Sequence, residues 1–298
     1  MQGTVDGFDY GAVTPLVAFL MACLGGALGL RCTTRALLLP HARRPVWLAL
    51  GAGAIGSGIW TMHLVAMMGF TVEGAPIHYD KAITYASLGL AIVMVGVGIF
   101  IVGYRGATGP ALFTGGTVTG LGIASMHYLG MAGMSLDGTF TYNTLTVAAS
   151  VVIAVVAATT ALWAAGRGGG LLWSVGASLL MGLAVSGMHF TGMAALTVHV
   201  HGAPAATGTA PTSLLAPMLI GPVAFLLLAA VVVILDPLMV AGRPVRARVE
   251  RQPGVPARPS APSSYADRIP HPRSGEREAV RHPARQTGHR TARTPQNR

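Results

Sequence analysis

Charge is scarce in this sequence. Asp, Glu, Lys and Arg make up 10% of the 298 residues, against about a quarter in ordinary soluble domains. No Asp or Glu falls inside any of the long apolar segments. Proton-driven transport commonly relies on buried carboxylates, so their absence speaks against a pump. Neither a G-x-S-x-G elbow nor a phosphate-cradling loop is present, which leaves no hydrolytic constellation. Cysteine is nearly absent as well. Cys23 and Cys32 lie nine residues apart on one expected helix and its end, roughly 13 Å along the axis and too far for a bridge. A disulfide framework and a thiolate metal motif are both excluded. The first ten residues carry two aspartates and no base, the reverse of a secretory signal, so the first apolar segment is expected to stay as a membrane span.

Hydrophobic residues make up 52% of the chain, and they are concentrated in seven runs long enough for a spanning helix of about 20 residues. The runs fall near 12–30, 46–69, 82–103, 111–134, 144–165, 171–196 and 214–235. Pro217 and Pro222 are expected to kink or shorten the start of the seventh. The expectation is an all-α, polytopic transmembrane helix bundle over residues 1–240. Arg31, Arg35, Arg43 and Arg44 fall between the first two runs, Arg105 after the third and Arg167 after the fifth, whereas Asp6, Asp9, Glu73, Asp80 and Asp137 fall on the other side with Lys81. Basic residues stay in the cytoplasm, which predicts an N-terminus outside, a C-terminus inside, and a multi-pass protein of the inner (plasma) membrane in contact with membrane lipids. Of the 20 Lys and Arg, 13 follow position 242. The stretch 241–298 is rich in Pro, Arg, Ser and Gly and lacks apolar periodicity, so a disordered basic cytoplasmic tail is expected. It is either a solvated extension or a tether to anionic lipid or an acidic partner. No aromatic interleaving accompanies its charge, and nucleic acid is not expected as a partner.

The apolar runs contain an internal repeat. Gly56-Ser-Gly-Ile-Trp-Thr-Met62-His63-Leu-Val-Ala-Met67, Gly120-Leu-Gly-Ile-Ala-Ser-Met126-His127-Tyr-Leu-Gly-Met131 and Gly182-Leu-Ala-Val-Ser-Gly-Met188-His189-Phe-Thr-Gly-Met193 align on their histidines. The histidines are 64 and 62 residues apart by their numbers, a period that covers two helices. Three parallel two-helix repeats follow, about 12–69, 82–134 and 144–196, with the seventh helix extra. All three motifs then sit at one depth near the outer ends of the second, fourth and sixth helices. Within each motif the His and the second Met are four apart and share a face. The residue three after the His is Ala or Gly, small enough for another helix to approach.

A histidine in a membrane helix usually faces the bundle interior and serves function; tying helices together is the structural alternative. Methionine is ordinarily core filler. Of the 14 methionines, however, Met62, Met67, Met68, Met126, Met131, Met134, Met188 and Met193 lie in or beside the motifs. Thioether with imidazole suits Cu(I), and Met and His also serve haem iron. Zinc fits less well, since Met is not among its usual ligands. His78, His199 and His201 lie in outer loops, where His199-x-His201 is a candidate for metal capture at an entrance.

At these residues the chain resembles the bacterial MHYT sensor domain family, named for a Met-His-Tyr-Thr motif recurring in paired-helix repeats. The resemblance covers about residues 10 to 240. Met and His persist three times, while Tyr survives as Tyr128 and Thr as Thr191. The resemblance implies an integral membrane sensor that binds copper near the outer face and senses a diatomic gas or redox state. Carried over by position, the metal ligands are Met62, His63, Met67, Met126, His127, Met131, Met188, His189 and Met193. Relatives often join this module to cyclic-di-GMP enzymes or kinases. The tail is too short for such a domain, so the chain is expected not to be an enzyme and to signal through a separate cytoplasmic partner or the tail itself. The alternatives are a copper-handling permease and a haem-binding membrane protein.

Overall fold

The computed structural model describes residues 5–6, 11–72, 76–167, 170–200 and 211–236. They belong to one compact unit, Met1–Arg243. The expected tail, 241–298, lies outside the described residues. Seven helices dominate: α1 Val13–Leu37, α2 Arg44–Met68, α3 Lys81–Arg105, α4 Gly109–Ala132, α5 Thr144–Gly166, α6 Leu171–Ala194 and α7 Pro211–Leu235. The sequences leave little alternative, because a backbone in lipid must satisfy its own hydrogen bonds. Six of the seven are long and apolar enough to cross a membrane by length and composition. The other, α4, is 24 residues long, and its six glycines lower its hydropathy. The chain is a multi-pass membrane protein.

Helices α1 to α6 pack in chain order as a ring, closed by α1 against α6. Across the ring α2 touches α4 and α6, and α1, α3 and α5 touch one another, while α7 rests outside on α2 and α1. Helix α2 is the most enclosed, 83% buried over its span against 28% for α5. Its glycines and alanines make this packing close. A Cβ on Gly25 of α1 would stand 2.6 Å from the Gly58 Cα of α2, so two backbones meet there with no side chain between them. The leading glycine of each motif faces the next odd helix: Gly56 meets the backbone of Ile92, Gly120 meets the backbone of Val155, and Gly182 makes room for the Cys23 side chain. One short motif thus sets a glycine against the next odd helix three times around the ring.

The strands are a feature the hydropathy did not reveal. Each two-helix repeat is bracketed by two short strands that pair antiparallel. They are β1 Val5–Asp6 with β2 Thr71–Val72, β3 His78–Tyr79 with β4 Met134–Ser135, and β5 Gly138–Tyr142 with β6 Leu196–Val200. These ladders tie the helix ends nearest the motifs. Asp80 is also more than a loop acid, since its carboxylate accepts the Ile83 N–H at 2.9 Å as the N-cap of α3. Asn143 caps α5 in the same way through Thr146 N–H at 3.1 Å.

Three expectations about helix ends need correcting. Helix α1 runs to Leu37, so Arg31 and Arg35 lie in its last turns and not in a connection. Arg44 likewise opens α2, after a 3-10 turn at His41–Arg43. Basic side chains favour a helix C-terminus, and Arg35 finds a partner there: its Nε donates to Asp236 Oδ2 at 2.9 Å, both side chains nearly buried. Helix α7 is not shortened by proline. It begins at Pro211 and continues through Pro217 and Pro222, as membrane helices tolerate when neighbours supply compensating contacts.

Candidate metal centre

His63, His127 and His189 are each five residues from the last residue of α2, α4 and α6, about 7.5 Å of helix rise. Equal depth on α2, α4 and α6 brings the rings together at the ring axis. Their Nδ1 atoms are mutually 3.2 to 3.3 Å apart, and each histidine is 1% exposed. The ring planes stand at 74° to 86° to one another, so the three imidazoles form a propeller whose nitrogens face its centre.

Hydrogen bonding alone does not satisfy this triangle. A neutral ring nitrogen is either a donor or an acceptor. Among three mutually adjacent nitrogens at least one pair is therefore donor–donor or acceptor–acceptor, whatever the tautomers. A cation at the centre removes the conflict, because all three lone pairs then point at it. The size fits as well. The centre of the triangle with sides of 3.2, 3.2 and 3.3 Å is about 1.9 Å from each corner, close to the metal–imidazole bond of about 2.0 Å. These three are the group among the described residues that can hold a metal ion.

The surroundings hold the rings in this arrangement. A Cβ on Gly130 of α4 would stand 2.5 Å from His63 Nε2, and one on Gly192 of α6 would stand 2.6 Å from His127 Nε2. The His63 and His127 rings therefore lean on the small residue of the next motif; the equivalent position in the first motif is Ala66, also buried. His127 Nε2 is buried with no hydrogen-bond partner among the described residues; it is the nitrogen that carries the proton of a neutral imidazole whose Nδ1 lone pair faces the centre. Tyr128 stands edge-on to His127 and its hydroxyl meets Ser150 Oγ at 2.6 Å; Phe190 takes the same edge-on place beside His189. Tyr142, outside the spans on β5, lies near Tyr128, and burial together with that neighbour pushes its hydroxyl above the usual range.

Met62, Met126 and Met188, the residues before the histidines, are fully buried; so are Met67 and Met131, and Met193 is half-buried. Five of the six belong to the main apolar core of the bundle, and Met193 packs against it. Ile59, Ile123 and Val185, one turn further in on the same three helices, line a small apolar cavity together with Thr119. They occupy the branched aliphatic position of the motif, four before each histidine, so the period already encoded a hydrophobic layer beneath the imidazoles. His199 sits on the β5–β6 ladder, where its Nε2 is 3.4 Å from Thr141 Oγ1, and His78 is exposed on β3. His201 lies outside the described residues.

Residues 56–115 and 120–177 match the MHYT family, described as a bacterial signalling protein N-terminal repeat. The two matches open at or beside the leading glycines of the first two motifs, and the third motif falls beyond them. The bifunctional diguanylate cyclase/cyclic di-GMP phosphodiesterase MucR of Pseudomonas aeruginosa is 36% identical over 192 residues, 63% of this chain and 28% of the relative. The cyclic di-GMP phosphodiesterase NbdA of the same organism is 39% identical over 212 residues, 67% of this chain and 27% of the relative. The signaling protein YkoW of Bacillus subtilis is 31% identical over 202 residues, 65% and 25%. The chain spans about a quarter of the length of these curated relatives. No solved structure matches it. The bracketed helix pairs, the recurring Met-His motif and these relatives agree: the chain belongs to the MHYT family of membrane signalling repeats.

Proposed function

We propose that this protein is a sensor of the inner membrane that holds one copper ion at the histidine triad and responds to a diatomic gas or to redox state. The observation that carries the reading is the convergence of three buried Nδ1 atoms on a point about 1.9 Å from each, the spacing of a three-coordinate metal. Three neutral donors in an apolar shell favour a low charge on the ion. The thioethers of Met62, Met126 and Met188 beside the imidazoles, and of Met67, Met131 and Met193 one turn towards the helix ends, favour a soft one. Cu(I) meets both conditions. Three protein donors also leave the ion open to a further small ligand, as a sensor requires.

Two observations favour this reading over its alternatives. A porphyrin plane does not fit between nitrogens 3.2 Å apart, which speaks against haem. Ile59, Ile123 and Val185 line an apolar cavity one turn beyond the triad, a poor path for a cation, which speaks for a resident ion over one in passage. The basic ends of α1, α3 and α5 favour an orientation with the triad towards the outer face and the C-terminus in the cytoplasm. Cyclic-di-GMP chemistry belongs to the relatives named for it; this chain's part is the membrane sensor, which signals to a separate cytoplasmic partner or through its tail. The test is metal counting on purified protein loaded with Cu(I), alongside His63→Ala, His127→Ala and His189→Ala. One ion per chain in the wild type and loss in each variant is expected, together with a carbonyl stretching band on exposure to carbon monoxide. Wild-type protein that stays metal-free refutes the proposal.

A further inference from the structure

A cleft of about 470 Å³ opens between α5 and α6 on the outside of the ring. It extends from Val152 to Ala164 on α5 and from Leu172 to Ala184 on α6, about 18 Å of helix on each side. Its walls are apolar, and Val152, Val156, Leu172 and Leu180 are all more than half exposed. The other side of the ring differs, because there α7 covers α1 and α2. Among the described residues no helix covers the third repeat.

The end of the cleft away from the histidines has a different chemistry. Trp163 and Trp173 face each other there with ring centres 5.7 Å apart, and Trp173 Nε1–H donates to the Ala164 carbonyl at 3.1 Å. The Arg167 guanidinium lies over the Trp163 ring at 4.1 Å. Arg167 is exposed, and among the described residues no carboxylate pairs with it. Tryptophan with arginine marks a membrane–water boundary, and a basic residue beside a cleft between membrane helices attracts an anionic headgroup. An acyl chain needs a long apolar groove, and its phosphate needs an unpaired cation at the mouth; this cleft supplies both in that order.

We propose that the α5–α6 cleft is a binding site for one anionic phospholipid, its acyl chain between the helices and its phosphate on Arg167. The proposal rests on the transmembrane reading and is independent of copper. Because both tryptophans line the site, their fluorescence reports its occupant. Full-length protein is reconstituted in phosphatidylcholine vesicles containing a minor fraction of brominated phosphatidylglycerol or brominated phosphatidylcholine. Brominated phosphatidylglycerol is expected to quench with an apparent association about fivefold stronger, the preference one arginine confers near an anionic headgroup. Arg167→Gln removes the preference. Gly176→Leu, at a position where an added Cβ meets nothing, fills the cleft and weakens quenching by both lipids. Equal quenching by the two lipids in the wild type overturns the proposal, as does a preference that survives Arg167→Gln. A disulfide-linked dimer of Leu180→Cys in the same vesicles gives the cleft to a second copy of the chain, and overturns it too.

Discussion

Substitution of Gly192 by alanine tests the histidine triad without removing a ligand. The added Cβ would stand 2.6 Å from His127 Nε2, 3.1 Å from its Cδ2 and 3.3 Å from Tyr128 Oη. Ordinary contact begins at 3.4 Å, so the imidazole must retreat by the difference, about 0.8 Å. A metal–nitrogen bond tolerates about 0.2 Å. The helix backbone of α6 is held by its neighbours, so the ring itself pivots, and its Nδ1 leaves the common centre. Disturbing what orients a ligand typically costs 10- to 100-fold in metal affinity, and a fall of that size is expected for Gly192→Ala. Titration against a chromogenic Cu(I) chelator measures it. Gly187→Ala on the same helix is the control, because an added Cβ there meets nothing within 4 Å; its affinity should match the wild type. If Gly192→Ala folds, keeps full metal content and binds within about twofold of the wild type, the triad is not the metal centre and the reasoning fails.

Other consequences concern stability. Arg35→Ala leaves the Asp236 carboxylate without its arginine in a nearly buried setting, a change that costs about 3 kcal/mol; the double variant with Asp236→Asn should recover part of it, read by thermal unfolding in detergent. Tyr128→Phe should cost about 1 kcal/mol and leave metal stoichiometry unchanged, because Ser150 Oγ keeps its bond to the Val147 carbonyl at 2.8 Å; a lost metal site would assign the hydroxyl a further role. Asp80→Ala removes the α3 cap and should lower stability by about 1 kcal/mol, while Asp80→Asn is nearly neutral, since either side chain accepts the Ile83 N–H.

The helices were legible because the bilayer demands long apolar runs, and each of the seven predicted runs matches one helix within a few residues, α1 excepted. That helix was cut short at Arg31 because arginine reads as an end, whereas Arg35 is carried inward by Asp236, 201 positions later in the chain. No local window contains that information. The strand pairs were missed for a related reason. Val5–Asp6 and Thr71–Val72 are two residues each, too short for alternation to register, and what pairs them is the fixed separation of the helix ends they extend. The histidines were legible as a set through their period. Their meeting at one point follows from parallel repeats arranged in a ring, which the period suggested without giving the distances. Ile59, Ile123 and Val185 were visible as one column of the motif, and only the packing gave that column its place below the imidazoles.

Three repeats that share one centre behave differently from three that each hold their own. No single repeat contributes more than one imidazole, so none binds an ion alone, and the stoichiometry expected is one per chain. Without a cation, one pair among the three nitrogens is mismatched at 3.2 to 3.3 Å in an apolar core, a cost the bundle carries. With a cation, α2, α4 and α6 are cross-braced near one end, and a ligand that binds the folded state alone adds about 2.7 kcal/mol at a hundredfold excess over its Kd. Metal removal should therefore lower the unfolding temperature of the wild type and leave that of His127→Ala unmoved. The brace also acts across the ring and not along it. Any ligand that alters the coordination pulls on α2, α4 and α6 at once, and each is packed through its leading glycine onto the next odd helix. A change at one buried point is in this way distributed to all six helices of the ring. For a signal that has to leave through a helix end some distance away, that is the mechanical arrangement the three repeats provide.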